Sequence, residues 1–404
     1  MTTTSYPPST GGVQGYLADL RSHLRRFEAD VVTLWLENRT DWLLGTTVRL
    51  GKGPAAEVAP GVRRLGWSAA TRLAMAPWTL SYYSTIRPAA RRLAALMVPE
   101  LERLVSAEHR LIHNHRIGRE FLALASLTVA RKRGLPFVLT PYHHPRWRGY
   151  RYSAWIDVYR QADAVLTLTA AELEELAGLG VERERLHVIG GGGDRPLPAD
   201  ATRFRARLGG VKAPLVVFLG QLYGYKGVAD LVAAAEQLRA RGADFELCFI
   251  GPPTPFSRRF FARRGHPWIH LLGSVDEQTK WDALEAAALV CVPSRQESFG
   301  RVYLEAWAKG KPVIGARIPP VAEVVAEGET GLLVEPGSVG ALAAAIERLL
   351  SDPELATRLG RRGREAAESR FSWPSVAARV EEVYGSLLER PPRRTPPAGS
   401  RTRG

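Results

Sequence analysis

The sequence has only two cysteines among 404 residues, Cys248 and Cys291. Each lies in an apolar, strand-like run (ELCFIG and LVCVPS), so both read as buried free thiols in a reducing compartment. A metal site needs more ligands at closer spacing than two distant cysteines provide. No apolar run approaches the roughly 18 residues that a bilayer span requires. The opening residues, MTTTSYPPSTGG, have neither the basic start nor the apolar core of an export signal, which makes the expected location cytoplasmic. Internal repeats and coiled-coil heptads are absent. Acidic residues are missing from Val58 to Pro99, and lysine is scarce throughout.

Arginine therefore supplies nearly all of the net charge of +14. In the acid-free stretch Arg63, Arg64, Arg72, Arg87, Arg91 and Arg92 are mixed with Trp67, Trp78, Tyr82 and Tyr83, and Pro77 and Pro88 interrupt any single long helix. Further basic residues follow at Arg131, Lys132, Arg133, Arg146, Arg148 and Arg151. Such a surplus suits anionic partners: phosphates, or the anionic inner face of a membrane met peripherally. No nucleic-acid recognition motif accompanies the charge, so nucleic acid is not an expected partner.

The length exceeds one ordinary core, which implies two domains. In the C-terminal half strands and helices alternate. APLVVFLG, FELCFIG, WIHLLGSV, LVCVPS and KPVIGA are strands; 228–242, 277–287 and 300–310 are helices. Alternation with short loops means a parallel sheet covered by helices, with ligands beyond the C-terminal strand ends. The N-terminal half alternates less regularly. It offers helices at 13–27, 119–134 and 170–180 and strands at 30–36, 109–115, 135–144 and 164–169. The run GGGGDRPLP (190–198) reads as the interdomain linker. The Pro- and Arg-rich tail 391–404 reads as disordered.

Two segments suggest chemistry. PSRQESFGRVYLEAWAKGKPV (293–313) carries Glu297 in a loop after a strand and Glu305 on the second turn of the helix that follows. Backbone N–H groups at a helix start attract phosphate, and a carboxylate accepts from two hydroxyls at once. That spacing suits a ligand with a diol at each end and phosphate between, which is the layout of a nucleotide sugar. The bland alternative is an amphipathic helix with a solvated glutamate. GQLYGYKG (220–227) lies between a strand and a helix and puts Lys226 where an ammonium reaches phosphates at the sheet edge.

Together these segments resemble the family 4 retaining glycosyltransferases. GQLYGYKG is similar to their G-R-L-x-x-x-K-G segment and 293–316 to their E-x7-E segment. VVAEGETGLLVEPGS (324–338) and FSWPSVAARVEEVYGSLL (371–388) resemble the segments that follow. SYPPSTGGVQGYLADLRSHL (5–24) and PFVLTPYHHP (136–145) resemble the family's first glycine-rich turn and its histidine-bearing strand end. The likeness is most specific over 215–340 and looser over 30–110.

The resemblance implies the α/β GT-B architecture, two Rossmann-like parallel-sheet domains facing a central cleft. An acceptor domain would span 1–197, completed by the helix 376–390, and a nucleotide-sugar domain would span 198–375. It implies that Lys226 contacts the diphosphate. It also implies that Glu297 holds donor-sugar hydroxyls with Ser298 and the amides of Phe299 and Gly300 nearby, and that Glu305 holds the ribose. Val275 matches the loop that meets the base, and Gly11 and Gly12 match the turn near the β-phosphate. His143 or His144 matches the histidine near the sugar, with His143 preferred. The implied reaction moves a sugar from a nucleotide-diphosphate sugar (UDP or GDP as base carriers) to a hydroxyl of a glycan, glycolipid or lipid-linked acceptor. It needs no metal and no other cofactor, and the leaving diphosphate takes the acceptor's proton.

Three departures stand out. Gln221 occupies the place of the family's phosphate-binding arginine. Pro319 and Pro320 replace two glycines ahead of Glu323. The first strand is expected to be short. The alternatives are an epimerase-type isomerase on the same fold, or a non-catalytic binding protein descended from a transferase.

Overall fold

The computed structural model describes residues 1–9, 11–36, 55–82, 84–115, 120–144, 153–193 and 195–389. The tail 391–404 and Arg146, Arg148 and Arg151 lie outside the described residues. The chain forms two compact units. One comprises Met1–Leu168, Glu172–Ile189 and the stretch from Val376 on; the other comprises Thr169–Ala171 and Gly190–Ser375.

The first unit holds an eight-stranded sheet of β1 (Thr2–Ser5), β2 (Val31–Trp35), β3 (Ala56–Ala59), β4 (Val62–Arg64), β5 (Ile112–His115), β6 (Phe137–Thr140), β7 (Ala164–Thr167) and β8 (Leu186–Val188). Its order is β3-β4-β2-β1-β5-β6-β7-β8. All neighbours are parallel except the β3–β4 edge pair. The chain leaves β1 towards one edge and returns at β5 to build the other. The order therefore reverses between β1 and β5, where ligands of such sheets bind. The strand expected over 135–144 stops at Thr140. Pro141 has no N–H to continue the ladder, and Tyr142 turns into the left-handed region at φ 50°.

The second unit holds a six-stranded parallel sheet of β9 (Leu215–Leu219), β10 (Glu246–Ile250), β11 (Ile269–Gly273), β12 (Leu289–Val292), β13 (Val313–Ala316) and β14 (Leu332–Val334). Its order is β11-β10-β9-β12-β13-β14. Apolar runs such as LVVFL and LVCV are what strands covered on both faces require. Helix Val228–Ala240 buries Val228, Leu231, Val232, Ala235 and Leu238, a stripe at helical spacing. Cys248 on β10 and Cys291 on β12 are free and buried, and burial pushes the Cys248 thiol up to about 12. Here the order reverses between β9 and β12.

The acid-free stretch 58–99 resolves into β4, helix Ala69–Leu80 and helix Ile86–Leu104. Its expected mixed surface needs correction. Trp67 and Tyr82 are core residues, 2% and 6% exposed, because they pack under the helix pair. Arg87 and Arg91 lie 2.9 and 3.6 Å from Asp157, so part of the charge is paired. Pro77 sits inside the first helix, not at its end.

Candidate active site

The reversal point of the second unit lies between β9 and β12, and the two suspected segments follow those two strands. After β9 the chain passes Gly220 and meets Gly251, which ends β10. A Cβ on Gly251 would lie 2.0 Å from the Gly220 carbonyl oxygen, so only glycine permits this approach. The loop then closes in a short 3-10 turn, Gly224–Lys226, ended by Gly227 at φ 80°. A Cβ on Gly227 would lie 2.4 Å from the Pro293 carbonyl oxygen, just beyond β12. This closeness seats the lysine loop on the glutamate loop, and Arg295 N donates to Tyr225 O across the same seam (2.8 Å).

Lys226 Nζ consequently donates to Glu297 Oε1 at 2.5 Å, with both side chains mostly buried. The Lys226 ammonium also lies 5.7 Å from the Tyr225 ring centre, and Tyr225 stacks on Tyr223. Phe299 is buried against Phe371, and a Cβ on Gly191 would collide with its ring. The glycine run after Ile189 thus serves packing as well as connection. Gly300, at φ 90°, caps helix Arg301–Ala308. Tyr303 of that helix donates to Val292 O (2.8 Å), fixing the helix start to the end of β12. Burial, with the Glu297 carboxylate behind it, pushes the Tyr303 phenol well up, so it stays a neutral donor. Glu305 accepts from Lys280 Nζ at 3.0 Å.

Gln221 is exposed in the loop after β9. Val275 lies between β11 and helix Glu277–Ala286, whose cap Asp276 accepts from Thr279 N (2.7 Å). Pro319 and Pro320 open a short helix, Pro319–Ala322, where missing N–H groups cost nothing. Gln221, Lys226, Val275, Glu297, Ser298, Phe299, Gly300 and Glu305 all belong to the second unit, on the C-terminal side of its strands.

Gly11, Gly12 and the histidines belong to the first unit. Gly11 caps helix Gly12–His23 just after β1, and a Cβ there would lie 2.5 Å from Gln14 Oε1. Gln14 in turn donates to Ser5 Oγ (2.9 Å). His143 is 3% exposed. Its N–H donates to Glu172, and its Nδ1 lies 3.1 Å from the Tyr159 hydroxyl. His144 is half-buried.

Sequence reasoning passed over Lys280 and a buried polar group on β5. His113 Nδ1 and the Tyr384 hydroxyl lie 2.5 Å apart, and His113 Nε2 and Thr140 Oγ1 lie 2.8 Å apart. His115 Nδ1 and the Tyr142 hydroxyl lie 3.2 Å apart. Burial pushes both imidazoles well below their ordinary value. The signal was present in HRLIHNH, where two histidines alternate along one strand face. Among the described residues no cluster could hold a metal ion, and no helix is long and apolar enough to cross a membrane.

Two α/β units, the second with a lysine–glutamate contact at its strand-order reversal, have the sheet architecture expected of a GT-B glycosyltransferase. Residues 200–366 match the family described as glycosyl transferases group 1, and residues 11–192 match the glycosyl transferase 4-like domain. The chain belongs to glycosyltransferase family 4. It is 31% identical over 305 residues to an MMP α-(1→4)-mannosyltransferase of Mycolicibacterium hassiacum, covering 69% of this chain and 71% of that one. It is 29% identical over 308 residues to an α-maltose-1-phosphate synthase of Mycolicibacterium smegmatis, covering 68% and 78%. Sucrose-phosphate synthase of Thermosynechococcus elongatus shares the fold, with TM-score 0.73, 22% identity and coverage of 96% and 99%. So does HepE of Anabaena, solved with UDP and glucose, with TM-score 0.72, 19% identity and coverage of 96% and 100%. Nothing in these similarities favours the epimerase-type or the non-catalytic alternative.

Proposed function

We propose that the second unit binds the nucleotide-diphosphate sugar and the first unit binds the acceptor hydroxyl. The observation that carries this reading is the Lys226–Glu297 contact at the β9–β12 reversal, beside a glycine-capped helix start. In this reading Lys226 takes the diphosphate, Glu297 the sugar hydroxyls and Glu305 the ribose. The helix-start amides at Phe299 and Gly300 stabilise the charge that develops on the leaving diphosphate. Gln221 contributes a hydrogen bond without charge. Val275 faces the base.

The chain supplies no covalent nucleophile in this mechanism. It positions two substrates, and the departing diphosphate oxygen accepts the acceptor's proton on the face of attack, so configuration is retained. The nucleotide sugar is the sole co-substrate, with no resident metal or cofactor. HepE, solved with UDP-glucose, makes that sugar the first donor to try. Thermal melting with UDP-, GDP- and ADP-sugars tests the reading, since a ligand of the folded state raises the midpoint. Release of the nucleotide from the stabilising donor is the second readout. A chain stabilised by none of these donors would sink it.

The acceptor is a glycan or lipid-linked saccharide met at the inner face of an anionic membrane. Helix Ala69–Leu80 supports this placement. Its outer face is wholly apolar, formed by Ala69, Ala70, Leu73, Ala74, Pro77 and Leu80. Leu73 is 77% and Leu80 59% exposed. Beside them the Arg92 guanidinium lies 5.7 Å from the Trp78 ring centre, an amphipathic pairing suited to headgroups.

A further inference from the structure

Lys280 has no place among the family-matched residues, yet its ammonium meets one of them. It stands on helix Glu277–Ala286, which begins directly after the Val275 loop. Its side chain is 12% exposed, and its Nζ lies 3.0 Å from Glu305 Oε1 and 2.8 Å from Glu277 Oε2. The stem is fixed as well, because Nζ lies 4.9 Å from the Trp281 ring centre and Trp281 is buried.

An ammonium this deep needs compensation, and two carboxylates give it. Their surroundings differ. Glu277 is 69% exposed on its side chain and Glu305 only 14%. Glu277 can follow the ammonium freely, so Lys280 keeps a counter-charge whatever Glu305 does. Glu305 is the constrained partner. One of its oxygens is tied to an ammonium on a rigid helix, while a carboxylate offers about four lone-pair sites. The tie to Lys280 restrains the carboxylate's rotation, and the lone-pair sites of a carboxylate outnumber one ammonium contact.

We infer that Lys280 is a positioning residue for the nucleotide. It holds the Glu305 carboxylate in the orientation that accepts from the ribose diol, and so makes the site discriminate ribonucleotides from their deoxy counterparts. The inference rests on the reading that Glu305 receives the ribose. A solvated glutamate would lose much of its preference to rotamer freedom; one clamped in a mostly buried place leaves its acceptor site unmet when a hydroxyl is missing, which is what penalises the deoxy ligand.

The test is calorimetric titration of the full chain with UDP, GDP and ADP and with the 2′-deoxy and 3′-deoxy forms of whichever binds. The expected result is a ribo-over-deoxy preference of at least about tenfold in the parent chain. Lys280→Gln should cut that preference at least about threefold by weakening the ribo form, while deoxy affinity stays within about twofold. Lys280→Arg, which keeps the charge, should restore most of it. In a Glu305→Gln background Lys280→Gln should change the preference no further, because there is no carboxylate left to orient. If Lys280→Gln does not fold, Lys280→Met keeps the stem against Trp281 and carries the same test. Equal weakening of ribo and deoxy forms would show a merely structural lysine and overturn the inference, as would an unchanged preference. A parent chain that binds no nucleoside diphosphate overturns the donor-site reading itself. One that binds ribo and deoxy forms alike overturns only the assignment of Glu305 to the ribose and, with it, the role of Lys280.

Discussion

Lys226 Nζ and Glu297 Oε1 lie 2.5 Å apart although 71 positions separate them in the chain. The contact joins the loops after β9 and β12, so each residue holds the other ready before any donor arrives. Loss of one charge-assisted contact in a dry site is worth about 1.5–3 kcal/mol. Lys226→Ala and Glu297→Gln should therefore each lower turnover at least about tenfold, with the fold retained. Steady-state rates of the two purified variants, with circular dichroism as the folding control, check this. An unchanged rate in either one removes that residue from the site.

Gln221→Arg should fold normally and bind the nucleotide more tightly. The position is exposed in the loop after β9, and a guanidinium fork matches phosphate oxygens. Titration of nucleoside diphosphates against parent and variant decides the matter. Weaker binding would mean that the glutamine serves another partner.

Gly227→Ala should destabilise the second unit by at least about 1 kcal/mol, because a left-handed backbone and a collision act together. Gly227 stands at φ 80°, with the Pro293 carbonyl oxygen 2.4 Å from the place of a Cβ. A denaturant midpoint equal to the parent's would show that the lysine loop does not rest on the β12 loop.

Acid should weaken the first unit before carboxylates titrate. His113 and His115 are held neutral by burial, with folded values well below 6.5. Below about pH 6.5 the unfolded chain takes up protons at these sites and the folded chain does not, so stability falls as pH falls. Each histidine should contribute a loss approaching about 1.4 kcal/mol per pH unit once pH is under its unfolded value. Urea titrations at pH 7.5 and 5.5 measure it, and equal midpoints would contradict neutral, buried imidazoles.

Binding to vesicles should depend on the outer face of helix Ala69–Leu80. Co-sedimentation should rise with anionic lipid and fall with salt. Leu73→Glu with Leu80→Glu should abolish it, and Arg92→Gln should reduce it, while rates on a soluble acceptor stay as they were. Equal and negligible pull-down by neutral and anionic vesicles at low salt would remove the membrane from the proposal.

Much of the second unit was legible because strands buried on both faces write continuous apolar runs. LVVFL, ELCFI and LVCV fall within a residue or two of the expected strands. The β3–β4 edge hairpin escaped notice because AEVA is fully exposed and carries no burial signal. In the candidate site, motif spacing singled out Lys226, Glu297 and Glu305, and the fold brings the first two into contact. The spacing gave no sign of Lys280, which meets Glu305 only once the second unit has folded. Nor could sequence tell that the His143 ring meets the Tyr159 hydroxyl, a contact made only in the fold.

The closing helix, Trp373–Glu389, brings Tyr384 to His113 and the Glu381 carboxylate to the N–H groups of Arg25 and Arg26. These partners stand at the beginning and near the quarter-point of the chain, whereas the second unit is almost one continuous insert between them. On the ribosome the amino-terminal sheet is thus made first but finished last. Until the closing helix emerges, His113 and the two arginine amides wait without their capping groups, while the inserted unit already has every strand of its sheet. Synthesis order and completion order are inverted. A stop codon before Val376 would leave the later-made unit whole and strip a buried wall from the earlier one.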